Sequence, residues 1–348
     1  MHIGLFDYDL PPELIAQEPL PERDASRLLV LDRVTGAVRH RAFRDLPDLL
    51  HPGDLLVVNR SRVFPARLLG RRAHGGAAEV LLVRAHDDDG GLWDALVRPG
   101  RRLRPGDRIE VAEDLGVRIE ERQGGAEETG PLRTVRLLAR GGDVTAALER
   151  HGHVPLPPYI RRPDVPADRE RYQTVYAREA GSVAAPTAGL HFTPALLEAL
   201  RGRGIEHAEV VLHVGPGTFR PVEVENVTDH RVDPESFVIP PETAEAVART
   251  RARGGRVLAV GTTATRALET AANENAPRPE AGETALVIVP GHRFRVVDGL
   301  VTNFHLPRSS LLLLVAAFAG RERVLAAYGK AVRERYRFYS YGDAMLIL

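Results

Sequence analysis

Four histidines, His191, His213, His230 and His305, stand in loop segments crowded with glycine, threonine and other small residues. An imidazole with a pKa near ~6.5 can act as acid or base at neutral pH. Small residues let the main chain approach a ligand closely. A single loop histidine is commonly a hydrogen-bonded structural residue, but four on loops that converge make a shared site. The loops in question include "PTAGLHFT" (187–193 with Pro186), "HVGPGTFRPV" from His213 and "TNFHLPRSSL" from Thr302. Two more carry no histidine: "NRSRVFPARL" from Asn59 and "GTTATRALE" from Gly261. His151 and His153 form an H-x-H pair without a third ligand at a diagnostic spacing, so no metal site is predicted there.

Other chemistry is excluded by what the chain lacks. There is no cysteine, hence no disulfide, thiolate metal site or cysteine nucleophile, which fits a reducing cytoplasm. The only lysine is Lys330, and no G-x-x-x-x-G-K-[ST], G-x-S-x-G, H-E-x-x-H or G-x-G-x-x-G motif occurs. Lys plus Arg equals Asp plus Glu at 47 each, so whole-chain charge neither demands nor forbids a nucleic-acid partner. Arginines do concentrate at 60–72 and 98–108, which suits either a phosphate backbone or a solvated face. The N-terminus carries Asp7, Asp9 and Glu13 and does not read as a secretory signal. The apolar run from Leu311 is about half of the roughly 20 residues a membrane span needs.

The elements that must position these loops follow from periodicity. At 348 residues and 43% hydrophobic the chain can bury a large core. Between about Pro65 and Tyr159, short β-type runs such as "EVLLVRA" and "LWDALVR" alternate with turns, which predicts a small antiparallel barrel or sandwich. After about Thr174, helix and strand alternate, which predicts a mostly parallel sheet with flanking helices. "DLLVV" before the barrel reads as a buried strand of that same sheet. The expected organisation is a large, discontinuous α/β domain of residues 1–64 and 156–348 with a β-barrel of residues 65–155 inserted. "ERQGGAEETG" is expected to be a mobile loop. Ligands of open α/β sheets bind at the carboxyl ends of strands, which is where the loops above fall. Thr193 is a predicted N-cap and Pro194 a first helical residue.

Seven ordered blocks run almost from end to end: "FDYDLPPELIAQEP", "DLLVVNRSRVFPARL", "YQTVYAREAGSVAAPTAGLHFT", "LHVGPGTFRPV", "VGTTATRALE", "DGLVTNFHLPRSSLLLLVAAFAG" and "YRFYSYGDAMLIL". Together they resemble the S-adenosylmethionine:tRNA ribosyltransferase-isomerase family of queuosine biosynthesis. The resemblance implies an α/β domain with a smaller β-barrel. It further implies transfer of the ribosyl part of S-adenosylmethionine to 7-aminomethyl-7-deazaguanine at the tRNA wobble position. Epoxyqueuosine would form, with release of adenine and methionine. S-adenosylmethionine is then a co-substrate, tRNA the partner, and neither a prosthetic group nor a metal is implied.

That reaction needs a base for the C5′ proton next to the sulfonium, a proton donor for departing adenine, and an uncharged attacking amine. His191 and His213 are the first candidates for base and acid, with Asp229 and His230 next; no spacing assigns one role to one residue. Thr187, Gly189, Gly215, Gly217, Gly261, Thr262 and Thr263 are placed around S-adenosylmethionine, with Arg266 near its carboxylate or an RNA phosphate. Asn303 and His305 are assigned to adenine or the deazaguanine, and Asn59, Arg62 and Arg67 to substrate or tRNA. The chain departs from the family pattern at Arg60 and Ser61 after Asn59, at Asp233, where a second histidine is common, and at Phe237. Two other readings remain at this stage: a methyltransferase using the same co-substrate, and a non-catalytic RNA-binding protein that uses the barrel.

Overall fold

The computed structural model describes residues 1–86, 90–121, 132–219, 222–274 and 276–348. All but Glu121 of the expected mobile loop lies outside them. β1 (Arg27–Leu31), β2 (Val38–Ala42), β3 (Leu55–Asn59) and a short β4 (Ser61–Val63) come first. Six strands then follow: β5 (Arg67–Arg72), β6 (Ala77–Ala85), β7 (Leu92–Arg98), β8 (Arg108–Ala112), β9 (Leu115–Ile119) and β10 (Leu132–Ala139). After these come β11 (Glu179–Ser182), β12 (Glu206–Leu212), β13 (Glu235–Ile239), β14 (Val257–Val260), β15 (Glu280–Thr284), β16 (Gly299–Asn303) and β17 (Ala344–Ile347). The helices are α1 (Leu46–Leu49), α2 (Val144–His151), α3 (Asp168–Arg171), α4 (Pro194–Gly202), α5 (Pro241–Ala252), α6 (Gly261–Thr270), α7 (Ser310–Ala319) and α8 (Arg321–Arg333).

The large sheet has the order β15-β13-β12-β3-β14-β16-β17-β1-β2. Its centre, β12-β3-β14-β16, is parallel, with Leu55 in register with both Glu206 and Val257. The sheet as a whole is mixed, because β13 and β15 on one side and β17 on the other add antiparallel pairings. Residues of β3, β14, β16 and β17 are buried throughout, as strands covered on both faces must be. Edge strand β2, "VRHRA", instead alternates its exposure. Residues of α5 to α8 pack on one face around Leu55, Val57 and Leu300. Residues of α1 and α4, with Phe43 and Phe192, pack on the other around Leu56, Val58 and Leu258.

The six middle strands close into an antiparallel barrel, β10-β7-β6-β5-β8-β9. Alternating Leu115, Val117 and Ile119 point into its core, which α2 covers with Ala147 and Leu148. Asp143 caps α2, accepting from the Ala146 N–H at 2.8 Å. The chain enters and leaves the barrel side by side, where Arg67 and His153 exchange main-chain hydrogen bonds. His151 and His153 face different carboxylates, Asp114 at 2.6 Å and Asp164 at 2.9 Å, so the H-x-H pair does not converge.

Candidate active site between sheet and barrel

The carboxyl ends of the four parallel strands meet on one side of the sheet, as open α/β sheets require of a ligand site. A small recess there is lined by Thr187, Gly261, Thr262, Thr263, Asn303 and His305, among others. Beside it a cleft of about 550 Å³ opens between the sheet and the barrel, and Val214 lines both. The cleft takes His213, Gly215, Gly217, Asp233 and Glu235 from the large sheet and Phe64, Arg84, Trp93 and Asp94 from the barrel side.

His213 follows β12 directly. Its Nδ1 is buried without a hydrogen-bond partner. Burial lowers its pKa, against a smaller opposing pull from Glu179, so the ring is neutral at pH 7 and able to take a proton. Gly181, at φ 140°, packs against this ring, and a Cβ there would stand 2.8 Å from it. In the recess, Gly261 adopts φ 90° and opens α6, whose N-terminus has no side-chain cap. The first N–H groups of α6 are therefore available to an anionic ligand group.

Asn303 accepts from the Thr187 hydroxyl at 2.8 Å and donates to the Tyr339 carbonyl at 3.1 Å. Tyr339 itself holds φ 73°, a strained conformation for a non-glycine residue. The ring of His305 is hydrogen-bonded to Thr302 at 2.7 Å, and full burial pushes its pKa down to about 3.

Several of the residues singled out in the sequence lie elsewhere. Thr193 and Pro194 do begin α4, with the Thr193 hydroxyl accepting from the Leu196 N–H. His191, however, turns into the opposite face of the sheet, stacked on Phe43 at 4.9 Å. Its ring nitrogens face the Ala188 and Gly342 carbonyls at 3.2 and 2.9 Å, and burial lowers its pKa. Gly189 is packed against Tyr176, whose hydroxyl a Cβ would meet at 2.1 Å. Asp229 is exposed and His230 half-buried on a turn beside the N-terminus, where Val227 donates to the Met1 carbonyl; neither lines the cleft or the recess.

Arg266 is buried and committed. It pairs with Glu235 and donates to the Leu286 and Thr284 carbonyls. Glu235 in turn accepts from the Gly215 N–H at 2.9 Å, so the pair braces the loop after His213. Asn59 is also spent: it bridges both main-chain groups of Leu212, the Ser61 N–H and the Thr263 hydroxyl. Arg62 and Arg67 pair with Glu149 and Glu79 at 3.6 and 3.0 Å. Glu235, Tyr339, Trp93 and Phe64 were not singled out from the sequence. Only Glu235 left a signal there, as a carboxylate two residues beyond Asp233 in a β-type run.

The family model described as queuosine biosynthesis protein matches residues 3–347. A protein of Pelobacter propionicus named S-adenosylmethionine:tRNA ribosyltransferase-isomerase is 54% identical over the full length of both chains. One of the same name from an Anaeromyxobacter species is 55% identical, over 100% of this chain and 99% of its own. The crystal structure of S-adenosylmethionine tRNA ribosyltransferase from Thermotoga maritima is 42% identical and superimposes with a TM-score of 0.56, covering 99% of this chain and 100% of that one. Fold, loop order and full-length similarity agree: the chain belongs to the queuosine biosynthesis protein family.

Proposed function

We propose that the chain is an S-adenosylmethionine:tRNA ribosyltransferase-isomerase. It moves the ribosyl group of S-adenosylmethionine onto the aminomethyl nitrogen of 7-aminomethyl-7-deazaguanine at the tRNA wobble position. Adenine and methionine leave, and the ribose rearranges to the epoxycyclopentanediol of epoxyqueuosine. The observation that carries this reading at the site is the neutral ring of His213 on the wall of the cleft, its Nδ1 unpaired, next to Val214, which lines both cleft and recess.

In this reading His213 takes the C5′ proton that the sulfonium acidifies. The recess, of about 30 Å³, takes only one end of S-adenosylmethionine, its carboxylate toward the uncapped N-terminus of α6 near Thr187 and Asn303, and the rest of the molecule lies in the adjoining cleft. Gly215 and Gly217 let the main chain come close to the co-substrate, while Arg266, Glu235 and Asn59 fix the loops. His191 keeps the turn before α4 in place. No helix among the described residues is long and apolar enough to cross a membrane; action on tRNA is what supports a cytoplasmic location in this reading. Among the described residues no group of three or more His, Cys, Asp or Glu is arranged to hold a metal ion.

The test is incubation with S-adenosylmethionine and tRNA carrying 7-aminomethyl-7-deazaguanine. Release of adenine and methionine in equal amounts is expected. S-adenosylhomocysteine as product would instead mean methyl transfer, and tRNA binding without consumption of S-adenosylmethionine would mean no catalysis.

A further inference from the structure

The barrel side of the cleft carries an aromatic face that the chemistry above does not use. Trp93, on β7, is the only tryptophan of the chain. Its ring lies 5.2 Å from that of Phe64 at an interplanar angle of 32°. The indole is pinned, because Nε1 donates to the Gly90 carbonyl at 2.7 Å. Each ring is only partly buried against the barrel core, and both line the cleft that His213 and Gly215 line from the other side. Fixed, half-covered aromatic rings are what unstacked nucleobases bind to.

Charge decides which base. Among the described residues, Asp94, Glu149, Asp233, Glu235 and Glu283 line the cleft with Arg84, while Arg62 and Arg266 pair with Glu149 and Glu235 from outside its lining. Asp94 adjoins Trp93 and is held by Arg84 at 3.4 Å and His86 at 2.9 Å. A guanine-type edge presents two adjacent N–H donors, and each carboxylate has about four acceptor sites. An adenine edge presents an acceptor beside its donor and matches a carboxylate poorly. A cationic aminomethyl substituent is also drawn to an acidic cleft on binding, and it gives its proton to a carboxylate there before it attacks. A base modified by an enzyme must in addition leave its stack and find a new partner surface.

Resting on the function proposed above, we infer that Trp93 and Phe64 form the platform on which the 7-aminomethyl-7-deazaguanine base stacks, turned out of the anticodon loop. The aminomethyl group then points across the cleft toward the recess, and adenine of the co-substrate stays on the sheet side.

Trp93 reports on this directly, since all tryptophan emission comes from it. An anticodon stem-loop bearing 7-aminomethyl-7-deazaguanine should quench that emission, and S-adenosylmethionine alone should leave it unchanged. Unchanged emission with the stem-loop bound, or full quenching by S-adenosylmethionine alone, would overturn the assignment. This measurement needs no turnover, so it stands apart from the adenine-release assay that tests the reaction. In kinetics, Trp93→Ala should raise KM for the stem-loop about tenfold or more, as loss of one base-aromatic stack does. KM for S-adenosylmethionine should stay within about twofold of the wild type. Trp93→Phe should recover most of the loss and Trp93→Leu little of it, with circular dichroism establishing that each variant is folded. Equal recovery by Phe and Leu would reduce the residue to packing, and wild-type KM in Trp93→Ala would end the proposal.

Discussion

His213 and His191 show how the same residue type does different work when one ring nitrogen is left unpaired. His191 has carbonyls at both nitrogens and an aromatic ring against its face, so its ring is committed to packing away from the cleft. His213 lines the cleft, and its Nδ1 is buried beside Gly181 without a hydrogen-bond partner. His213→Ala should therefore lower kcat by about 10²- to 10⁴-fold, the usual contribution of a positioned general base. His191→Gln should retain turnover and lose thermal stability. Because burial lowers the His213 pKa, the ring stays neutral below its ordinary ~6.5. The acid limb of the kcat/KM profile should accordingly fall below that value, and a limb above it would remove His213 as the base. Gly181→Ala tests the same geometry from behind: its Cβ would press the imidazole aside, and φ 140° suits no L-residue. Lower kcat is expected together with about 1–3 kcal/mol of lost stability from the strained backbone, read by turnover and thermal melting.

At the scale of elements, the site depends on α6 and β13 gripping one loop. Arg266 leaves α6 to meet Glu235 at the start of β13, and Glu235 holds the Gly215 N–H. Both partners are less than a tenth exposed, so removing one strands a buried charge. Arg266→Ala should destabilise by about 3–5 kcal/mol and lower kcat through displacement of the loop after His213; chemical denaturation and single-turnover rates check the two effects. The four strand-end loops were legible in the sequence because buried parallel strands are uninterrupted apolar runs, and their carboxyl ends must share one side of the sheet. The barrel was legible because alternation and turns recur at short intervals. Side-chain direction was not. Pattern locates the turn at Thr187–His191, but the last residue of that turn faces Phe43 rather than the cleft, and periodicity does not encode that choice. Arg266 and Asn59 misled for a related reason: their partners, Glu235 and Leu212, come from strands distant in sequence. The antiparallel flanks escaped notice because pairing direction is set by the crossover, not by the strand's own residues.

Across the whole molecule, both chain ends are folded into the sheet side of the site. Tyr8 donates to the His305 carbonyl, while the final segment supplies Tyr339, the Gly342 carbonyl that meets His191, and the interior strand β17. Neutral, buried histidines thus sit where both ends close the fold, which ties global stability to their protonation. Every histidine with a resolved shift is lowered: His40, His191, His207, His213, His230 and His305. Above pH ~6.5 these groups are neutral in both folded and unfolded chains and contribute no pH dependence. As pH falls below that, the unfolded chain takes up protons that the folded one refuses, for His305 until about pH 3. Unfolding is then favoured by up to about 1.4 kcal/mol per pH unit for fully buried His305, and by less for the more exposed rings. Between about pH 6.5 and pH 5 carboxylates remain mostly ionised, so the histidines dominate that window. The thermal midpoint should fall across it, and the fall should be shallower in His305→Gln, whose amide does not titrate. A midpoint that is flat or rises on acidification, or a slope unaltered in His305→Gln, would contradict the link between the buried rings and the closure of the chain ends.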